Sequence, residues 1–251
     1  NIENATIYGG SGNDSLSVSS GTNALFGNDG DDYLTGGTGN DTLNGGAGDD
    51  SIWVNSGGGV DVIDGGLGFD TLNLYRPDLT VPVTLAITAN ANGTLNDFSL
   101  PDGTTVSGIE VLNLTTGNSD DHLTFTNLTA AGRQYWNAGG GNDTAVMDFS
   151  ALGSNLSASV FMGSCSAQVA GESNPRLSLY NIENATIYGG SGNDSLSVYS
   201  GTNALFGNDG DDTLQGGAGN DTLTGGAGND NLAGGTGADT LRAGQGVDIV
   251  D

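Results

Sequence analysis

The sequence predicts an all-β chain, a parallel β-roll or β-helix solenoid of stacked nonapeptide repeats. Three observations carry this prediction. A nine-residue glycine- and aspartate-rich motif recurs along both ends of the chain, each copy carries one large aliphatic residue, and no long window shows helical periodicity. From Gly9 the copies read GGSGNDSLS, VSSGTNALF, GNDGDDYLT, GGTGNDTLN and GGAGDDSIW; after a two-residue insertion, Val54 and Asn55, come SGGGVDVID and GGLGFDTLN. From Gly189 they run GGSGNDSLS, VYSGTNALF, GNDGDDTLQ, GGAGNDTLT, GGAGNDNLA, GGTGADTLR and AGQGVDIVD.

In each copy six residues suit a turn and three a short strand. Glycines supply the backbone angles that other residues avoid, and the aliphatic position supplies a thin core. Those positions are Leu16, Leu25, Leu34, Leu43, Ile52, Ile63 and Leu72, then Leu196, Leu205, Leu214, Leu223, Leu232, Leu241 and Val250. Two nonapeptides make an eighteen-residue coil with a turn on each side, so stacked coils build two parallel sheets.

Two longer periods organise the chain into an N-terminal block (1–73), a middle segment (74–188) and a C-terminal block (189–251). Residues 1–50 return at 181–230 with 44 of 50 positions identical. A weaker period of 73 relates Asp70 to Asp143, Glu110 to Glu183 and Asp121 to Asp194. The middle segment is expected to form irregular β-helical coils of the same stack, with strands at 81–88 and 156–162.

Composition points to metal ions. The 251 residues carry 30 acids, 26 of them Asp, against four Arg and no Lys, for a net charge of -26. Asp outnumbers Glu where turns and Asx hydrogen bonds are wanted, whereas a solvated helix favours Glu. Such a charge repels phosphate backbones, which excludes nucleic acid as a partner. One Cys and one His rule out a Cys/His metal site, and no apolar run has the length of a transmembrane segment. Opening at Asn1, partway into a repeat, the chain reads as a piece of a larger protein.

Fourteen of the 26 Asp occupy the sixth position of a repeat: 14, 32, 41, 50, 61, 70, 121, 143, 194, 212, 221, 230, 239 and 248. Turns one coil apart lie side by side, which pairs Asp14 with Asp32, Asp32 with Asp50, Asp194 with Asp212, Asp212 with Asp230, Asp221 with Asp239 and Asp230 with Asp248. Paired carboxylates with converging carbonyls form a hard oxygen cage of the kind that takes Ca²⁺. The insertion leaves the pairings of Asp41 with Asp61 and Asp50 with Asp70 open.

On these motifs the chain resembles the RTX, or haemolysin-type, calcium-binding repeats of bacterial proteins exported by type I secretion. The resemblance covers residues 9–73 and 189–251. It implies a parallel β-roll, Ca²⁺ sites shared between neighbouring turns, secretion to the outside of the cell or its surface, and the type I secretion apparatus as a partner; pairing turns eighteen residues apart suggests roughly 8–10 ions. By position the ligands it implies are Asp14, Asp32, Asp41, Asp50, Asp61, Asp70, Asp143, Asp194, Asp212, Asp221, Asp230, Asp239 and Asp248, with Asn23 and Asn203 in place of two aspartates. Backbone carbonyls of Gly9, Ser11, Gly36, Thr38, Gly216 and Ala218 complete the set.

The function expected of these residues is calcium-gated folding: uncompensated carboxylates and a glycine-rich backbone keep the metal-free chain expanded, and ion binding stabilises the fold. Two alternatives remain. One is a surface scaffold or adhesin, with cell-surface polysaccharide as a partner. The other is a carbohydrate-active β-helix using Arg76, Arg133, Arg176 and Tyr135. The chain carries no HExxH, GxSxG or Walker motif, so no enzyme activity is expected within these residues. Trp53 and Trp136 are expected to pack at coil ends, Cys165 to fill a strand position, and Glu110 and Glu183 to cap or bridge coils.

Overall fold

A computed structural model of the chain describes residues 4–57, 59–128, 132–161, 164–172 and 176–251. The strands in the first repeat block are β1 (Thr6–Tyr8), β2 (Ser15–Ser17), β3 (Ala24–Asp29), β4 (Tyr33–Thr35), β5 (Thr42–Ala47), β6 (Ser51–Val54), β7 (Val62–Leu67) and β8 (Thr71–Tyr75). Through the middle run β9 (Thr84–Thr88), β10 (Phe98–Ser99), β11 (Thr105–Ser107), β12 (Val111–Thr115), β13 (His122–Thr126), β14 (Gln134–Asn137), β15 (Thr144–Asp148), β16 (Leu156–Phe161), β17 (Ser164–Val169), β18 (Leu177–Tyr180) and β19 (Asn184–Tyr188). The last block supplies β20 (Ser195–Val198), β21 (Ala204–Asp209), β22 (Thr213–Gln215), β23 (Thr222–Ala227), β24 (Asn231–Ala233), β25 (Thr240–Gln245) and β26 (Ile249–Val250). Among the described residues there is no helix, and so none that could cross a membrane.

The chain divides into two compact units, residues 1–119 with 130–139 and residues 120–129 with 140–251. In the first unit, β1, β3, β5, β7 and β11 pair in that order, all parallel, with β10 antiparallel on β11. A second parallel sheet runs β2, β4, β6, β8, β12, β14. Successive strands β1–β8 thus add alternately to two sheets, the topology of a parallel β-roll.

Register follows the aliphatic positions. Leu16, Leu34, Ile52, Leu72 and Leu112 stand in cross-strand register on one sheet; Leu25, Leu43, Ile63 and Val106 do so on the other. Alternation along a strand turns every second side chain inward, so Leu25, Leu34, Leu43, Ile52 and Leu72 lose all contact with solvent. The insertion lengthens one coil from 18 to 20 residues: Leu43 pairs with Ile63, and Ile52 with Leu72. The extra residues are taken up at the end of β6, where Val54 is buried and Asn55 exposed, and register on either side is preserved.

The second unit repeats the plan. β13, β15, β19, β21, β23 and β25 form one parallel sheet, and β16, β20, β22, β24 and β26 pair in parallel in the other. Two expectations are corrected here. Strands β16, β17 and β18 form an antiparallel meander and are not coils of the stack, because the sequence here lacks the GGxGxD turns that carry the chain across to the opposite sheet. Met162, the last residue of the strand expected at 156–162, lies outside the described residues. Val250, expected in the core, is 51% exposed in the outermost strand, where it pairs on one side only with Leu232. Leu241, in the outer strand β25, is likewise only half-buried.

Glycine at the fourth position of the repeat is a steric necessity. Gly48 sits at φ 133°, and a Cβ there would collide with the carbonyl oxygen of Gly30 in the coil before.

Candidate metal centre

Each turn is stitched to its neighbours by two ladders that run in opposite directions. In the first, the sixth-position N–H of one coil donates to the sixth-position carboxylate of the next. Asp14 N donates to Asp32 Oδ1 (2.7 Å), Asp32 N to Asp50 Oδ1 (2.8 Å) and Asp50 N to Asp70 Oδ1 (2.8 Å). On the other side of the first unit, Asn23 N donates to Asp41 Oδ1 and Asp41 N to Asp61 Oδ1, both at 2.9 Å. The pairings that the insertion left open are therefore made.

The second unit has the same order. Asp194 N reaches Asp212 Oδ1 (2.8 Å), Asp212 N reaches Asp230 Oδ1 (2.9 Å) and Asp230 N reaches Asp248 Oδ1 (2.9 Å). Asn203 N donates to Asp221 Oδ1 and Asp221 N to Asp239 Oδ1, each at 2.9 Å. Asn23 and Asn203 keep the acceptor role, taking the N–H of Ala5 and of Ala185 on Oδ1.

In the second ladder the fifth-position side chain of one coil accepts the fifth-position N–H of the next. Asn13 Oδ1 accepts from Asp31 N (3.0 Å), and Asp31 Oδ1 from Asp49 N (2.9 Å). Asn193 Oδ1 accepts from Asp211 N, and Asp211 Oδ1 from Asn229 N. Sequence reasoning missed this ladder, although position five reads Asn or Asp in most copies. It turns to Val60, Phe69, Ala238 and Val247 in the last copies of each block, where these residues only donate, to Asn40, Asp49, Asn220 and Asn229.

The ladders extend into the middle segment through residues without the motif. Asp70 N donates to Glu110 Oε2 (2.7 Å), and Asp143 N to Glu183 Oε2 (2.8 Å). Glu110 and Glu183 thus bridge coils as sixth-position surrogates 73 residues apart. Asp121 N donates to Asp143 Oδ1 (2.7 Å), and Leu156 N donates to Asp194 Oδ1 (2.7 Å). Thr104 Oγ1 accepts Asp61 N, and Arg76 lies behind it, 3.4 Å away through Nη1. The Arg76 guanidinium is buried, with Nη2 2.6 Å from Asp102 Oδ2, an ion pair without hydrogen-bond geometry, and Nε 3.3 Å from Asp78 Oδ1.

The ladder engages only one carboxylate oxygen. In Asp32, Asp50, Asp70, Asp143, Asp212, Asp221 and Asp230 the other, Oδ2, is buried and accepts no hydrogen bond from any described residue. In all of these but Asp143, whose turn opens on Ala138, it points at the first glycine of its own turn. A Cβ built on Gly27 would overlap both Asp32 Oδ2 and the carbonyl oxygen of Gly45 in the next coil. The same two oxygens, own-turn Oδ2 and next-coil carbonyl, converge at Gly9, Gly45, Gly65, Gly189, Gly207, Gly216 and Gly225, the carbonyls being those of Gly27, Gly65, Gly108, Gly207, Gly225, Gly234 and Ala243. At Gly36 and Gly234 the own-turn Oδ2, of Asp41 and Asp239, faces the glycine without a next-coil carbonyl among the nearest atoms.

Of the carbonyls predicted from sequence, those of Thr38 and Ala218 accept the N–H of Gly21 and of Gly201, and that of Gly9 accepts Asn28 Nδ2 (3.2 Å). Gly36 and Gly216 lie at first-position cradles. Ser11 is exposed.

Burial raises the carboxyl pKa values along this row, and the neighbouring carboxylates add to it against the lowering effect of the ladder hydrogen bonds. Asp70 is pushed up to about 7, with Asp50 and Glu110 as the charges beside it, and Asp212 to about 7, between Asp194 and Asp230. Asp50, Asp61 and Asp143 rise to about 6; Asp41, Asp194, Asp221 and Asp230 move in the same direction. An unpartnered, desolvated carboxylate oxygen beside a carbonyl oxygen is the donor set of a hard cation. Among the described residues no three His, Cys, Asp or Glu side chains gather as a metal cluster, so a cation here would depend on backbone oxygens.

The sequence matches the RTX calcium-binding nonapeptide repeat over residues 3–25, 26–58, 36–72, 182–214, 197–232, 206–241 and 224–251. The chain belongs to this RTX repeat family. Its repeats bind calcium, and its parallel β-roll is the fold described above. No curated protein matches the chain. The matches fall on the two blocks whose turns carry the regular ladders, and they leave out residues 73–181, where Glu110, Thr104 and Gln134 replace the motif. Gln134 is fully buried, accepting Leu112 N on Oε1 and donating to the carbonyls of Glu110 and Gly132.

Trp136 is fully buried, its Nε1 donating to Thr116 Oγ1 at 3.1 Å. Trp53 corrects the expectation of packing: at position nine it alternates outward from Ile52 and is 39% exposed. Arg176 is held by Glu172 and the Leu128 carbonyl, and Cys165 is a buried strand residue.

Proposed function

We propose that these repeats are a calcium-gated folding element of a secreted protein. The observation that carries the reading is the buried, unbonded Oδ2 of Asp32, Asp50, Asp70, Asp212, Asp221 and Asp230, each aimed with a next-coil carbonyl at the first glycine of its own turn. The ligands would be the sixth-position aspartates, from Asp14 to Asp248, with the first-position carbonyls of the adjoining coil. With the convergences at Gly9 and Gly189, where Asp14 and Asp194 Oδ2 also accept the N–H of Gly10 and Gly190, there are eight, which supports about eight ions on the reading of one oxygen cage per pair of turns. Glu110 and Glu183 would close the rows in place of aspartate.

Bound Ca²⁺ would neutralise the buried carboxylates and complete their coordination. The chain's own part is to hold Oδ1 in the ladder, so that Oδ2 is fixed without further ordering. Without that neutralisation, desolvated like charges oppose the stack, and only a thin aliphatic core favours it. Folding then depends on ion concentration by mass action. Extracellular calcium modules bind at about 10⁻⁴ to 10⁻³ M, a range in which the chain would be unfolded before export through a type I apparatus and folded afterwards. We read the segment as non-catalytic: Arg76 and Arg176, two of the three arginines considered for a carbohydrate-active site, are each committed to ion pairs with carboxylates of the chain.

The test is a calcium titration followed by far-UV circular dichroism, with magnesium as control. A cooperative gain of β signal at roughly 0.1–1 mM Ca²⁺, absent with Mg²⁺, supports the gate. A chain already β-rich in chelator and unmoved by calcium refutes it.

A further inference from the structure

Two exposed aromatic rings, Trp53 and Tyr75, gather with the half-buried ring of Tyr135 on one surface of the first unit. The outward positions of β6, β8, β12 and β14 form a straight cross-strand row, in which Trp53 pairs with Asn73, Asn73 with Asn113, and Asn113 with Tyr135. Three strand steps of about 4.8 Å separate the end rings by about 14 Å. Tyr75 and Asn55 border the row, and together these side chains line a surface groove of ≈ 250 Å³ whose walls carry no Asp, Glu, Lys, Arg or His.

We propose that this groove binds a neutral, ribbon-like oligosaccharide of equatorially linked pyranoses. The apolar C–H face of a pyranose stacks on an aromatic ring, and its hydroxyl edge needs paired donors and acceptors. Trp53 is 39% and Tyr75 50% exposed, so both rings are accessible. The Trp53 ring is already fixed: its Nε1 donates to Ser51 Oγ (3.0 Å), and it leans on Tyr33 with centroids 6.3 Å apart. Between the rings, Asn113 Nδ2 donates to Asn73 Oδ1 at 2.9 Å, which orients both amides. The Asn73 amide nitrogen and the Asn113 carbonyl oxygen remain to serve vicinal hydroxyls, one as donor and one as acceptor. A flat sheet face suits an extended glycan better than a helical one. The net charge of -26 repels polyanions and imposes no penalty on a neutral chain.

The internal duplicate is a control built into the molecule. Where the first block has Tyr33 and Trp53, the second has Thr213 and Ala233 in the same strand register, and the roll forms equally well. The rings are therefore not required by the coil. This site does not depend on the gating reading beyond needing a folded chain, so the two can fail separately.

Calcium-loaded full chain would be titrated with cellohexaose, mannohexaose and chitohexaose, with a heparin hexasaccharide as the polyanionic control, and read by tryptophan fluorescence and calorimetry. Trp136 is sealed from solvent, so a change in emission reports Trp53. Saturable binding of at least one neutral hexasaccharide is expected, weakened about tenfold or more in Trp53→Ala and in Tyr75→Ala, with circular dichroism and the calcium midpoint unchanged. Trp53→Ala installs the residue that the duplicate already carries, so folding should survive. Absence of binding by all three neutral sugars, equal affinity for heparin, or undiminished binding by Trp53→Ala would each overturn the proposal.

Discussion

The N–H of Asp194 donates to Asp212 Oδ1 at 2.8 Å, while Asp212 Oδ2, buried and unbonded, faces Gly207 and the carbonyl of Gly225. One carboxylate therefore has two separable duties, and two substitutions should separate them. Asp212→Asn keeps an oxygen for the Asp194 N–H and removes the charge, as Asn23 and Asn203 do naturally. The calcium midpoint should rise about fivefold, in line with a lost ligand charge, with no loss of residual structure in chelator. Asp212→Ala should in addition cost about 1–3 kcal/mol at saturating calcium, because the Asp194 N–H loses its partner. Calorimetric titration and thermal unfolding distinguish the two; equal behaviour of both variants would refute the division of labour.

Acidity should act on the metal-free chain in the direction opposite to its action on the calcium form. Asp70 and Asp212 titrate near about 7 in the fold, and Asp50, Asp61 and Asp143 near about 6, all above the unfolded value of about 3.9. A carboxyl with a raised folded pKa holds its proton more tightly in the fold. Its stabilising contribution is complete below the unfolded value and is lost as pH rises through the folded one. In chelator, the β signal and thermal midpoint should thus be greatest near pH 4 and fall toward pH 7. With calcium present, affinity should weaken as pH drops below about 7, because protons compete for the same oxygens. Chelated protein that is more stable at pH 8 than at pH 5 would contradict both the burial and the repulsion described for this row.

What the sequence could reveal depended on how local the cause was. The coil, the inward aliphatic positions and the pairing of Asp14 with Asp32 are legible because a turn of fixed length repeats every nine residues. The ladder through Glu110 and Glu183 is hidden: it is made across 40 residues by a longer side chain outside any motif, and only the 73-residue period hints that the two glutamates are equivalent. The fifth-position ladder was written in the sequence as Asn or Asp, but its meaning needs the neighbouring coil in place. The antiparallel meander of β16, β17 and β18 could not be told from parallel coils, since alternation alone marks a strand and not its direction. Trp53 looked like core because large aromatics usually are, yet its offset of one from Ile52 already placed it outside.

Gly207 offers a test of the cradle that does not touch a carboxylate. Its backbone lies outside the left-handed region, so alanine is conformationally allowed there, but a Cβ would overlap Asp212 Oδ2 and the Gly225 carbonyl. Gly207→Ala should therefore lower the calcium stoichiometry by one while leaving the remaining sites near their original affinity. Direct metal analysis of the dialysed protein reads this. An unchanged ion count would show that the convergence at the first glycine is not where a cation sits.

Arg76 predicts a loss of stability that calcium does not repair. Its guanidinium, buried beside Asp102 and Asp78, stands behind the Thr104 hydroxyl that ends the row Asn23, Asp41, Asp61, and it counters the negative charge at Asp61. Arg76→Met removes the positive partner and leaves two carboxylates in or near the interior, a change that typically costs about 3–5 kcal/mol. Because no metal contact is removed, the loss should persist at saturating calcium, and it should be confined to the first unit, leaving exchange protection of the β20–β26 amides intact. Adding Asp102→Asn should recover part of it by removing the stranded charge. Full rescue of Arg76→Met by calcium alone would show that Arg76 is only a substitute for the ion at the end of its row.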